Sequence, residues 1–158
     1  MHAQRVDDAC TALGRARSLA FDLDETETFE LYLAWGRAAG SQQRLQDAIE
    51  AFEAALGIRP DRADVWFYKG VHLDLAGDRT GALDAYTQSV ERDDAFAPAW
   101  FNRACENAIL GHQDAALSDL RRAASLEPKW AGEAAKDAYF RSMWADPRLQ
   151  AIVAEHAG

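Results

Sequence analysis

From Phe29 onward the apolar residues recur every three or four positions, the period of one face of a helix. No stretch alternates with period two for long enough to predict a strand. Breaks fall at Gly40-Ser41, Gly57 to Asp61, Gly77-Asp78, Asp93-Asp94, Gly111-His112 and Glu127-Pro128. The intervals, each about a dozen residues, predict helices of three to four turns. Asp24 followed by Glu27 predicts a capping box for the first of them. Asp61 stands where it would cap the next pair, and Pro98 falls in a first turn, where its missing donor costs nothing. Val6, Cys10, Leu13, Ala16 and Ala20 share one face and predict an earlier amphipathic helix near Val6–Phe21. After Trp130, residues Ala131–Phe140 read as helical, and Asp146-Pro147 opens a last helix carrying Leu149, Ile152 and Val153.

The pattern repeats at a step of 34 residues. Trp66 and Trp100 keep it, as do Gly36 and Gly70, and Ala48, Ala82 and Ala116. So do Phe52, Tyr86 and Leu120, while Pro60 and Pro128 stand two steps apart. A step held by small, aromatic and breaker positions together marks one supersecondary unit that must stack on its neighbours to bury a core.

These residues resemble the tetratricopeptide repeat, a 34-residue helix–turn–helix with the signature W-x2-L-G-x2-Y, A-x3-F, P. The units are Phe29–Arg62, Ala63–Phe96 and Ala97–Trp130, with residues 1–24 as an N-terminal helix and 131–158 as a C-terminal cap of one domain. Position four holds Tyr32, Trp66 and Trp100, and position eight holds Gly36, Gly70 and Ala104. Positions twenty, twenty-four and twenty-seven hold Ala48/Phe52/Ala55, Ala82/Tyr86/Ser89 and Ala116/Leu120/Ala123. Departures are Trp35, Lys69 and Arg103 in place of the Leu at position seven, and Ala39, Leu73 and Asn107 in place of the Tyr at eleven. Asn107 is the oddest, because a buried amide needs partners. The segment Asp137…Phe140…Asp146-Pro147-Arg148-Leu149 is similar to the tail that often closes bacterial tetratricopeptide proteins. The resemblance implies an all-α, right-handed α-solenoid of three helix pairs between an N-terminal helix and a C-terminal helical cap.

It also implies a concave groove lined by the first helix of each pair. Carried onto this sequence, the groove residues are Glu30, Leu33, Arg37, Asp64, Phe67, Tyr68, Val71, Asp74, Phe101, Asn102 and Cys105. That is an apolar and aromatic stripe edged by carboxylates, suited to a peptide or partner helix with Leu-, Phe- or Met-type anchors beside Lys or Arg. The clamp by which related co-chaperones grip an anionic peptide end is absent. Its places hold Leu33, Arg37, Tyr68, Pro98 and Asn102. The competing reading is structural: the chain's own or a neighbour's C-terminal helix, around Leu149–Val153, fills the groove and the protein acts as a self-assembling subunit. A third class is a regulatory subunit that docks on an enzyme through its convex face.

Composition narrows the partners. The net charge of −9, with no block of five or six basic residues, argues against nucleic acid and anionic membrane as partners. Apolar runs are far too short for a membrane span, and the N-terminus has no stretch of signal-peptide length, so a cytoplasmic protein is expected. Only Lys69, Lys129 and Lys136 among the 17 basic residues are lysines, which with heavy alanine use suggests a bacterial source. Cys10 and Cys105 lack CxxC spacing and read as small buried groups. A homo-oligomer is compatible with this composition.

No enzymatic site is expected. His72 and Asp74 are two apart on a helix and point to different faces. Gly111 is expected to end the helix between Cys105 and His112, and His112-x-Asp114 sits at a turn. Arg121-Arg122 reads as a solvated convex face, and Asp22–Glu27 lacks the alternating ligands and central Gly of a calcium loop. No HExxH, GxSxG, P-loop or dinucleotide fingerprint occurs, so neither cofactor nor metal is expected. The expectation is a noncatalytic adaptor or scaffold for protein–protein interaction.

Overall fold

The computed structural model describes residues 23–156, so the helix expected at Val6–Phe21 and its Cys10 lie outside the described residues. The chain divides into two compact units, Met1–Asp78 and Arg79–Gly158. The first contains α1 (Glu25–Ser41), α2 (Leu45–Ile58) and α3 (Ala63–Leu75), with α1 packed on α2 and α2 on α3. The second contains α4 (Arg79–Arg92), α5 (Ala97–Ile109), α6 (Gln113–Leu126), α7 (Lys129–Ala134), a 3-10 segment (Ala138–Met143) and α8 (Pro147–Glu155). There α5 packs on α4, α6 and the 3-10 segment, while α8 packs on α6 and α7. The fold is all-α, with helices packed in adjacent pairs and no strand among the described residues.

The expected breaks are where the helices end. Asp24 and Glu27 form the capping box, Glu27 N–H donating to Asp24 Oδ1 at 2.8 Å and Asp24 N–H to Glu27 Oε2 at 3.1 Å. Pro98 lies in the first turn of α5, and Asp146 caps α8 by accepting from Arg148 N–H at 2.8 Å. Two local expectations change. The N-cap of α3 is Arg62 rather than Asp61, and it makes no side-chain cap hydrogen bond. The helix expected over Ala131–Phe140 is divided, because α7 stops at Ala134 and Asp137 starts a new turn by accepting from Tyr139 N–H at 2.9 Å.

The 34-residue step is physical as well as textual. Ala48, Ala82 and Ala116 are all fully buried, and so are the large side chains four residues on, Phe52, Tyr86 and Leu120. A Cβ on Gly36 would stand 2.6 Å from Phe52 Cε1, so only a glycine lets α1 come this near to α2. The indole N–H of Trp66 donates to the Pro60 carbonyl at 2.9 Å, and that of Trp100 to the Asp94 carbonyl at 3.0 Å, one step later. Positive φ recurs at the same step too: Gln43 at 59°, Gly77 at 85° and Gly111 at 80°.

The departures at position seven also have a cause. Lys69 Nζ lies 5.4 Å from the Trp66 ring centre and Arg103 Cζ 4.6 Å from that of Trp100, so each cation covers the ring one turn before it. Lys69 pairs with Glu53 at 2.8 Å. Arg103 donates through two nitrogens to Asp119, at 2.8 and 2.6 Å, and Asp119 is 4 % exposed. The same carboxylate accepts from the buried amide of Asn107 at 3.1 Å. With its NH2 so used, Asn107 turns its Oδ1 toward His112 Nδ1 at 3.2 Å, and that nitrogen therefore donates. The amide that looked out of place belongs to a satisfied polar network between α5 and α6.

Two stability outcomes follow. The turn at Gln43 needs the left-handed backbone that glycine supplies one and two steps later, so Gln43→Gly is expected to stabilise by about 1 kcal/mol in urea melts. Asp119→Ala strands Arg103 and the Asn107 amide and is expected to destabilise by about 3 kcal/mol. Replacing the pair together by Arg103→Met and Asp119→Leu is expected, in the same melts, to recover the part of that loss due to Arg103, while the Asn107 amide stays unpaired.

Candidate functional site

On α1, Glu30, Leu33 and Arg37 fall at i, i+3 and i+7, one stripe of the helix. On α3, Asp64, Phe67, Tyr68 and Val71 fall at i, i+3, i+4 and i+7. These two first helices of successive repeats both belong to the first unit, and the structure joins their stripes at one contact. The Arg37 guanidinium lies 5.1 Å from the centre of the Tyr68 ring. Tyr68 in turn stacks on Phe52 at 5.8 Å and 23°, with Phe67 tilted against it at 5.9 Å.

Below this contact sits His72, its ring 5.3 Å from Phe52. Its Nδ1 is 2.7 Å from the Tyr68 carbonyl, which can only accept, so Nδ1 carries the proton. Its Nε2 lies against Gly40, where no Cβ would fit. Gly40 thus packs on His72, His72 on Phe52, and Phe52 on the Tyr68 ring. Sequence periodicity placed Phe52 on the second helix as core and did not join it to this face. Its aromatic character at position twenty-four was the available signal.

The expected site residues differ in how accessible they are. Glu30 and Arg37 are exposed, whereas Asp64, Phe67, Tyr68, Val71 and Asp74 are half-buried. Leu33 is buried in the core of the first unit. In the second unit Phe101 and Cys105 are buried in its core, Phe101 stacking on Trp130 at 4.6 Å with Phe140 at 6.2 Å. Asn102 is half-buried and donates to Tyr86 Oη at 3.2 Å. Phe101 is therefore packed by Trp130 of α7 and Phe140 of the 3-10 segment, in the same core cluster as Leu149 and Ile152.

The electrostatics depend on which charges are already matched. Arg62 donates to both oxygens of Asp64, at 2.9 and 2.8 Å. That hydrogen bonding, helped by the nearby charges of Asp64, Glu30 and Asp61 and opposed by partial burial, raises the guanidinium pKa above its ordinary value. Asp64 is thus neutralised by its neighbour, a pairing that helical spacing does not reveal because Arg62 lies at the helix cap. Arg44 pairs with Asp47, and Arg59 donates to the Thr26 hydroxyl at 3.3 Å. Among residues 23–78 there are 11 Asp and Glu but only 5 Arg and Lys. The first unit therefore presents excess negative charge.

His72 is committed to the Tyr68 carbonyl, and His112 to Asn107, while Cys105 is buried. Among the described residues no group of three or more His, Cys, Asp or Glu could hold a metal ion, and no helix is long and apolar enough to cross a membrane.

Two family models, both described as tetratricopeptide repeat, match residues 33–98 and 97–129. Over 80 residues, 51% of this chain, the sequence is 36% identical to Protein FlbA of Caulobacter vibrioides, of which that stretch is 13%. The chain thus spans only a small part of that relative. The fold is similar to that of MamA, with a TM-score of 0.74 at 14% identity over 98% of this chain and 90% of that one. It is also similar to that of YrrB, described as a TPR protein with an unusual peptide-binding site. There the TM-score is 0.71 at 19% identity, covering 97% of this chain and 78% of that one. The repeated turn, the small-to-large helix contact and both model matches have one source: the chain belongs to the tetratricopeptide repeat family.

Proposed function

We propose that this protein is a noncatalytic interaction adaptor that receives a peptide or partner helix on the α1–α3 face of its first unit. The ligand is apolar with basic residues beside its anchors. The observation that carries this reading is the half-buried row Phe67, Tyr68 and Val71 on α3, joined to α1 by the Arg37–Tyr68 contact, in a unit whose cations are outnumbered. Partly covered aromatic and aliphatic groups supply anchor contacts, and the surplus carboxylates favour Lys or Arg at the rim. A peptide site on YrrB, a protein of the same fold, supports the mode of recognition. The buried placement of Leu33 leaves it to shape this surface from below, whereas Phe101 and Cys105 belong to the core of the second unit.

One observation favours a second reading for the other unit. Phe101 is stacked by Trp130 and Phe140, so the corresponding face of α5 is filled by the chain's own C-terminal segment. In that reading the second unit is a structural half, and ligand binding belongs to the first.

Selection of displayed random peptides on the purified chain tests the main reading. Enriched sequences are expected to alternate apolar anchors with Lys or Arg. Phe67→Ala and Val71→Arg, each checked for native helix content, are expected to weaken the best peptide by about tenfold or more. Enrichment of acidic peptides, or full binding by both variants, would contradict it.

A further inference from the structure

Five cations stand among residues 23–78, and four of them have a carboxylate or hydroxyl partner. Arg62 covers Phe29 at 4.9 Å but is tied to Asp64. Arg59 covers the same ring at 4.9 Å and donates to Thr26. Lys69 covers Trp66 and is tied to Glu53, and Arg44 is paired with Asp47. Arg37 differs. It is exposed, and its guanidinium meets the Tyr68 ring with no ion pair to a carboxylate among the described residues. The local sequence explains why: three and four residues away on α1 stand Leu33, Ala34, Gly40 and Ser41, none of them acidic.

We infer that the outer face of Tyr68 is a cation subsite, occupied in the free protein by Arg37 as a displaceable stand-in for a ligand's Lys or Arg. This rests on the proposed peptide-binding face and specifies how its charge preference is set. The ring stacks on Phe52, which His72 packs in turn, so the subsite is ordered before a ligand arrives. The stand-in is held weakly, because a cation over a ring at an exposed position is a modest interaction. It also carries the same sign as the ligand group that replaces it. Arg37 therefore opposes a basic ligand twice, by covering the ring and by repelling the incoming charge. An anionic ligand would instead make Arg37 its anchor, so this one side chain decides between the two chemistries.

The test uses the full chain and two short synthetic peptides with leucines at helical spacing. One carries arginine at the flanking positions, and its twin carries glutamate there. The arginine peptide is expected to bind the wild type, and Arg37→Ala is expected to bind it about two- to fivefold more tightly. In a Tyr68→Leu background the same Arg37→Ala change is expected to give clearly less gain, because the ring is no longer there to be uncovered. Weaker binding of the arginine peptide by Arg37→Ala, or an equal gain without the ring, would overturn the subsite. Preference of the wild type for the glutamate peptide, lost in Arg37→Ala, would overturn it in favour of an anion site. Failure of both peptides on every variant would instead remove the peptide-binding face, and the subsite with it.

Discussion

The two helices of a pair can lie close together only where one of them presents almost no side chain. Gly36 facing Phe52 is the clearest case, since the ring occupies the space a methyl group would need. Fully buried Ala104 and Leu120 play corresponding parts in the second unit. Once that approach is set, other features follow from it. The turn joining the helices must be tight, which requires the left-handed backbone at Gln43 and Gly111. The ring at position four must find a place beside the contact, and its indole N–H then reaches back to a carbonyl before the helix. Dispersion and apolar burial at these few positions give each pair its geometry, and the surface residues are free to vary around it.

That division explains what the sequence could and could not disclose. Helix ends, the capping box at Asp24 and the spacing of small and large residues are local or periodic, and they were legible. The division of the C-terminal segment after Ala134 was not, because Ala131–Phe140 has helical periodicity and the break depends on one cap at Asp137. Asn107 looked like a defect for a related reason. Its partners Asp119 and His112 come from the next helix and from the turn before it, so only the folded pair reveals that the amide is satisfied. Position seven shows the same limit, where Lys69 and Arg103 each exchange a leucine's packing for a ring and a carboxylate.

At the candidate site, repeat position identified which residues share a face, while contacts decided what each can do there. Asp64 looks like a rim acceptor until Arg62 is seen on both its oxygens. Phe101 looks like an anchor until Trp130 and Phe140 are seen upon it. Arg37 looks like one more cation until it is seen to rest on the Tyr68 ring. The proposed site is thus narrower than the repeat alone implies, and its chemistry is aromatic, apolar and acidic within the first unit.

The proposed ligand site lies on the first helices of the repeats in that unit, α1 and α3. Backbone amide shifts of the labelled protein, followed by NMR during titration with a library-selected peptide, test this most directly. The expected result is a continuous set of perturbed amides along α1 and α3, centred on Arg37 and Tyr68. Perturbations confined to α2, or to the helices of the second unit, would contradict it.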